Sequence, residues 1–258
     1  MNISALIKQS PLSLRDTLLI LEHVSGLDKN YMFLNQDKID LNQDALEAFK
    51  SILSKIQNGM PLQYAIGKWW FFGEEFIIEP PVLIPRPETE IVVEEAMKFA
   101  RQFKVGFEPF VGSGIISIVL LKHNPHLKMV ATDINKKACE LTLKNAKLHK
   151  VEDRLLVVCS DVAEAIKIEK ADFLVANPPY IPTNVLNTLE KSVLEYEDIK
   201  ALDGKEEGLF FYKELKSLGI KPMILEIGHD QEQAIKDLFG DVDITYDYSN
   251  NPRVAIIR

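Results

Sequence analysis

Cysteine is scarce in this chain: Cys139 and Cys159 are the two present in 258 residues. Two thiols this far apart in sequence supply neither a zinc site nor a disulfide framework. Both read as free thiols of a reducing compartment, packed in a core or on a helix face. Long apolar runs are missing too. The longest, such as residues 115–121, fall well short of the about 20 residues that a membrane span needs, and the opening MNISALIKQS lacks the basic start and apolar core of a secretory signal. The expectation is a soluble cytoplasmic protein with no membrane partner. Positive charge is in deficit, with a net charge of -8. Because phosphate neutralisation supplies much of the affinity of nucleic-acid binders, direct nucleic-acid binding is not expected. No internal repeat or low-complexity segment is visible. What the chain does have is 47% hydrophobic and 26% charged residues, enough for one large domain, or a catalytic domain with a small appendage, around a sizeable core.

The first 60 or so residues carry helical periodicity. Leu14, Leu18 and Leu21 share one face, and Leu46, Phe49, Ile52, Leu53 and Ile56 repeat at similar spacing, with Asn42 or Asp44 as a cap and Gly59 followed by Pro61 as a stop. Trp69, Trp70, Phe71, Phe72 and Phe76 then crowd around Gly73, which predicts a hairpin. Pro85 and Pro87 exclude a helix until Glu88 or Thr89 can begin one. Beyond residue 104, short apolar runs alternate with helical stretches: candidate strands at 105–110, 129–133, 155–160, 172–176 and 223–227, with helices between them, such as 136–148. That alternation predicts a parallel sheet covered on both faces, an α/β fold of the Rossmann-like kind. Runs at 242–246 and 254–257, separated by a turn-rich segment, predict a closing antiparallel hairpin. The resulting division is a helical domain at 1–62, a linker hairpin at 63–85 and the main domain at 86–258.

Three strand ends carry cofactor chemistry. The first strand leads through Glu108-Pro109-Phe110-Val111-Gly112-Ser113-Gly114 into a helix, so a ligand can approach backbone at the positive end of that helix. A lone Gly-x-Gly is weak. The second strand, however, ends in Ala131-Thr132-Asp133, where doubly wound folds place an acidic acceptor for ribose hydroxyls. The third ends in Ser160-Asp161-Val162, where Asp161 is placed to accept from an adenine amino group and Val162 to pack on the ring. The alternative, that both aspartates merely cap the following helices, explains either one alone better than the ordered set.

Asn177-Pro178-Pro179-Tyr180 follows the fourth strand and is the most specific feature. The prolines remove two backbone donors and leave a stiff turn rich in acceptors. The Asn177 side-chain oxygen and the Pro178 carbonyl can accept both hydrogens of an incoming planar NH2 group. This turns its lone pair toward an electrophilic methyl and favours the pyramidal nitrogen of the transition state. Tyr180 can lie against the planar group. The histidines at 23, 123, 126, 149 and 229 fall outside these loops, so no general base is evident.

With these residues in hand, the chain resembles the HemK/PrmC family of protein-(glutamine-N5) methyltransferases. The resemblance runs through Gly59-Met60-Pro61-Leu62-Gln63-Tyr64-Ala65-Ile66-Gly67 and Leu83-Ile84-Pro85-Arg86-Pro87-Glu88-Thr89-Glu90. It continues in Asn177-Pro178-Pro179-Tyr180-Ile181 and Leu225-Glu226-Ile227-Gly228. It implies a seven-stranded class I methyltransferase fold with a small N-terminal helical domain. S-adenosyl-L-methionine would sit against Phe110, Val111, Gly112, Ser113, Gly114, Asp133, Asp161, Val162 and Asn177. It also implies that the catalytic and substrate-binding residues are Asn177, Pro178, Pro179 and Tyr180; a monomer is the expectation, although the sequence itself does not fix the oligomeric state. The implied substrate is the glutamine of the Gly-Gly-Gln motif in class 1 peptide chain release factors, docked by the N-terminal domain. The chain departs from the family's Asp-Leu-Gly-x-Gly-x-Gly turn at Glu108 and at Phe110. A phenylalanine resists positive φ, so either the loop differs locally or the glycine it replaces needs no such conformation. Three alternatives remain: a glutamine methyltransferase for a large-subunit ribosomal protein, an adenine or cytosine amino-methyltransferase, which the Pro-Phe-x-Gly-x-Gly turn resembles, and a catalytically silent binding module. The acidic stretch at 190–198 reads as a solvated surface, or as a contact for a basic partner through Glu195 and Glu197.

Overall fold

The structure, a computed structural model, describes residues 1–168 and 170–258. The chain divides into two units, Met1–Lys68 and Trp69–Arg258. In the first, five helices follow one another: α1 (Ile3–Gln9), α2 (Leu14–Ser25), α3 (Lys29–Leu34), α4 (Gln43–Gln57) and α5 (Leu62–Ile66). Asn2, Ser13, Asp28 and Asn42 each precede a helix and accept a backbone N–H of its first turn, which satisfies donors that have no partner inside the helix. Phe49 and Ile52 bury one face of α4 as its spacing predicts. On α2 the expected stripe shifts: Thr17, Ile20 and Leu21 are buried together with Leu19, whereas Leu14 is exposed. The helix begins at Leu14, so that residue projects from an unpacked first turn instead of joining the seam. The short α5 has no counterpart in the sequence reading, because five residues after a proline show no period.

The second unit opens with a hairpin, β1 (Lys68–Phe71) and β2 (Glu74–Ile77), whose turn residues Phe72 and Gly73 both have positive φ, the twist that two-residue hairpin loops require. There follow α6 (Thr89–Ala100), β3 (Val105–Pro109), α7 (Ile115–His123), β4 (Lys128–Asp133), α8 (Lys136–Leu148), β5 (Leu155–Cys159), β6 (Phe173–Ala176), α9 (Lys191–Tyr196), α10 (Phe210–Ser217), β7 (Met223–Glu226), α11 (Glu232–Phe239), β8 (Asp243–Tyr246) and β9 (Pro252–Ile257). Seven strands form one sheet in the order β5-β4-β3-β6-β7-β9-β8. The first five are parallel, and β9 runs antiparallel to both β7 and β8. All four residues of β6 and of β7 are buried, which is why β6 reads as an unbroken apolar run and β7 as one that ends in Glu226. Phe107, Leu174, Tyr212, Leu225 and Ile257 lie in one core cluster. A Cβ at Gly106 in β3 would stand 2.4 Å from the Met129 sulfur and 2.6 Å from the Phe173 ring, so only glycine fits at this point of the sheet. Among the described residues no helix is long and apolar enough to cross a membrane.

Strand order decides where a ligand can bind. From β3 the chain moves outward to β4 and β5, then returns to β6 on the other side of β3. The loops leaving β3 and β6 therefore diverge and open a crevice at the strands' carboxyl ends, the topological switch point of doubly wound sheets.

Candidate active site

The loop leaving β3 is held from both sides. The Val111 N–H donates to the Thr132 carbonyl and the Gly114 N–H to the Val111 carbonyl, at 2.9 and 2.8 Å. The Gly112 N–H donates to Asp133 Oδ2 at 2.9 Å. From α8, Thr142 Oγ1 donates to the Gly112 carbonyl and Asn145 Nδ2 to the Ser113 carbonyl. Gly114, at φ 83°, precedes α7, and a Cβ there would meet Thr142 at 2.8 Å. Phe110 corrects the expectation drawn from the glycine turn: it does adopt positive φ, at 61°. That conformation costs on the order of 1–2 kcal/mol in a residue with a Cβ. It is offset by edge-on packing of the ring against Phe211, at 5.0 Å between centroids, and by the bonds that fix Val111 and Gly112 immediately after it. Val162, β-branched, also has positive φ, at 40°, and its carbonyl accepts from Thr132 Oγ1 at 2.5 Å.

These strained residues border the same space. A cavity of about 290 Å³ is lined by Phe110, Asp133, Asp161, Val162, Pro179 and Phe211, among others. A smaller one of about 60 Å³ next to it shares Phe110 and Asp133 and adds Val82, Ala138 and Asn177. Val111, Gly112 and Ser113 border a third, which again reaches Asn177, while Gly114 serves the turn itself. Asp133 closes the end of β4: its Oδ1 accepts the Asn135 N–H at 2.8 Å, and burial holds its carboxyl above the usual aspartate range. Each carboxylate oxygen keeps a lone pair after these bonds. Asp161 is exposed. A cavity with apolar and aromatic walls and a carboxylate at the strand end suits an adenosyl group: rings pack on Phe110 and Val162, and ribose hydroxyls donate to Asp133.

The acid that opens the turn is engaged elsewhere. Glu108 is buried, with Oε2 accepting the Ser117 N–H at 2.8 Å and the Ser117 hydroxyl. Burial pushes its carboxyl up to about 8, and the nearby Asp133 adds to the rise. A folded-state value above the unfolded one means that Glu108 contributes stability at acid pH, which is lost as pH rises through about 8. From about pH 5.5 to 7.5 the stability of this unit is therefore expected to fall by about 2–3 kcal/mol on this account. Glu108→Gln should flatten that slope in denaturant titrations; a mutant slope equal to the wild type's rejects the assignment.

On the other side of the crevice, Asn177-Pro178-Pro179-Tyr180 leaves β6. A pocket of about 130 Å³ is lined by Leu83, Arg86, Asn177, Pro178, Tyr180 and Glu226, among others. Asn177 thus borders both this pocket and the cavities beside Asp133. Arg86 Nη2 donates to both carboxylate oxygens of Glu197 at 2.8 Å. Burial raises the Glu197 carboxyl, and the Arg86 guanidinium opposes the rise. Glu197, expected on a solvated acidic surface, is instead buried at 5% exposure: the arginine that follows Pro85 supplies the partner that makes burying a carboxylate tolerable. Asp198 lies on the other side of the same segment and accepts from Asn135 Nδ2 at 2.8 Å.

Sequence reasoning missed four residues of this site. Thr89 Oγ1 donates to Glu226 Oε2 at 2.7 Å, and Arg86 and Asn135 anchor Glu197 and Asp198. Thr89, Arg86 and Glu226 all stand in the quoted segments Leu83–Glu90 and Leu225–Gly228, so the signal was the segments themselves, with no role attached to any single side chain. The folded chain also brings Cys139 and Cys159 into contact, and burial first, then Asp133 and Cys159, pushes the Cys139 thiol up to about 12.

An open seven-stranded sheet of this order, with a glycine turn after the first parallel strand and an acid at the end of the next, is the class I fold, and the chain is an S-adenosylmethionine-dependent methyltransferase. Residues 2–67 match the family described as PrmC N-terminal domain, and residues 109–194 match the methyltransferase small domain. The chain is 38% identical to the release factor glutamine methyltransferase of Aquifex aeolicus (strain VF5), over 95% of this chain and 90% of that one. It is 34% identical to the protein of that name from Geobacter sulfurreducens, over 87% and 80%. Among solved structures, the catalytic domain of hMettl16 in complex with the MAT2A 3'UTR hairpin 6 superposes with a TM-score of 0.59 at 15% identity, covering 89% of this chain and 91% of that one, a likeness of fold. This chain belongs to the release factor glutamine methyltransferase family.

Proposed function

We propose that this protein methylates the side-chain amide nitrogen of the glutamine in the Gly-Gly-Gln motif of class 1 peptide chain release factors, in the cytoplasm, with the helical N-terminal domain docking the partner. The observation that carries the reading is the position of Asn177, on the wall between a pocket about the size of a small side chain and the cavities at the ends of β3 and β4. S-adenosylmethionine, when bound, supplies a methyl group activated by its sulfonium. Phe110, Val111, Gly112, Ser113, Asp133, Asp161 and Val162 are the residues that would hold it, with Gly114 shaping the turn and Asp133 placed to take the ribose hydroxyls.

The glutamine side chain enters past Leu83 and the Arg86–Glu197 pair. Its NH2 group donates one hydrogen to Asn177 Oδ1 and the other to the Pro178 carbonyl. Both acceptors favour the nitrogen as amide conjugation breaks and positive charge develops there. The Tyr180 ring limits the approach of the planar amide, so binding energy is used to align the nitrogen. The product nitrogen is acidic enough to lose its proton to water, and the site needs no general base.

Mass spectrometry of release factors incubated with the protein and S-adenosylmethionine tests this directly. The expected result is one added methyl on the glutamine of the Gly-Gly-Gln peptide. An unmodified peptide, with cofactor binding demonstrated in the same sample, rejects the substrate assignment.

A further inference from the structure

Asn177 can serve as an acceptor only if its amide is turned the right way, and an asparagine side chain has two nearly isosteric orientations. Its Nδ2 donates to Thr89 Oγ1 at 3.3 Å. Thr89 has one hydroxyl hydrogen, and that hydrogen goes to Glu226 Oε2 at 2.7 Å. What Thr89 offers Asn177 is therefore a lone pair, which only the amide NH2 can use, so Oδ1 is left for the pocket. The other Glu226 oxygen accepts from the Tyr180 hydroxyl at 3.3 Å. One buried carboxylate thus holds both ends of the Asn177–Tyr180 turn.

We infer that Thr89 and Glu226 are positioning residues that fix which end of the Asn177 amide faces the substrate. The inference rests on the glutamine-methylation reading for its kinetic consequence, though not for its geometry. The direction of the chain depends on Glu226 being ionised. Neutral Glu226 carries a hydrogen of its own. Placed toward Thr89, it turns the threonine hydrogen toward Asn177 and calls for the opposite amide orientation. The groups facing Glu226 are Glu88 and Thr89 at the start of α6, Tyr180 after β6, Tyr212 on α10, whose hydroxyl donates to the Glu226 carbonyl at 2.9 Å, and Arg253 on β9. Burial pushes the Glu226 carboxyl up to about 7, opposed by the Thr89 bond and the Arg253 charge. Turnover should therefore be lost as pH falls through about 7, where Glu226 takes up a proton.

The test compares Thr89→Val, which is isosteric but has no hydroxyl, with Thr89→Ser, which keeps one. Two readouts are taken: steady-state kinetics on a release factor, and the side-chain amide NMR signals of Asn177, assigned by their loss in Asn177→Asp. Thr89→Val is expected to lower kcat by about 10- to 100-fold while leaving cofactor Kd within about twofold, and to remove exchange protection from the Asn177 amide. Thr89→Ser should recover both. Wild-type turnover in Thr89→Val with an unmoved amide signal overturns the inference, and so does a serine variant as impaired as the valine one. The NMR readout needs no substrate, so it decides the network even where the release factor proves not to be methylated; absent turnover by the wild type counts against the substrate reading instead. Should Thr89→Val fail to fold, Glu226→Gln gives the answer: it is expected to lower kcat and abolish the acid limb near pH 7, and a limb that persists overturns the role of Glu226.

Discussion

Asn177→Ala is expected to lower turnover by about 100- to 1,000-fold, the loss seen when one preorganised hydrogen-bonding group is removed from developing charge. The amide nitrogen of a glutamine is a poor nucleophile because its lone pair is delocalised into the carbonyl. Reaction requires that conjugation to break, and the nitrogen then carries positive charge that water is no longer present to solvate. Asn177 Oδ1 and the Pro178 carbonyl are the acceptors at that point, and alanine removes the one that a side chain supplies. Because the Pro178 carbonyl belongs to the backbone, a residual rate should survive. Cofactor affinity should fall only a few-fold, since Asn177 forms one edge of the cavities beside Asp133 while Phe110, Asp133 and Val162 form the rest. Single-turnover kinetics under saturating cofactor, with affinity measured by calorimetry, separate the two effects. Turnover near the wild-type rate removes Asn177 from the reaction.

Asp133→Ala is expected to act on the other side of the crevice, weakening cofactor binding by about 10- to 100-fold, the size of a lost hydrogen bond to a charged group. Asp133 faces the cavity and also holds the turn: Oδ2 accepts the Gly112 N–H and Oδ1 the Asn135 N–H. Alanine removes the ribose acceptor and frees the backbone on which Phe110 keeps its positive φ. Asp133→Asn should fall between the two, because an amide can replace one of those acceptors but presents its NH2 to the other donor. Calorimetric titration with S-adenosylmethionine reads the series. An alanine variant within about twofold of the wild type would falsify the ribose role.

The central strands β3, β6 and β7 were legible in the sequence because burial on both faces makes each a short, mainly apolar run. The edge strands β5 and β8 showed weaker runs, and the Gly-Pro-rich and polar segments between the strands mark where the runs stop. Asn177-Pro178-Pro179-Tyr180 and Asp133 were legible for another reason: each sits immediately after such a run, so the end of a strand could be named before any coordinates. Thr89 and Glu226 were not. They lie 137 residues apart, and no local period relates the start of a helix to the end of a strand that pairs two places away from β3. Glu197 misled because acidity in a stretch of charged residues gives no sign of a distant arginine partner. Phe110 misled because intrinsic preference forbids what the Thr132, Asp133 and Phe211 contacts jointly impose. Local chemistry is read in order along the chain; partners across the sheet are not.

The position of β9 has a consequence for how the protein is made. Synthesis delivers β7 before β8 and β9, yet β9 is the strand that fits against β7, pairing Met223 with Ile257 and Glu226 with Val254, and β8 reaches the sheet only through β9. Until residues 254–257 emerge from the ribosome, β7 presents Met223, Ile224 and Leu225 with an open row of backbone donors and acceptors, a template for any other strand nearby. The strand that carries Glu226 thus keeps one open edge until residue 254 is made, and a nascent chain stalled before that point is expected to be prone to aggregation through it.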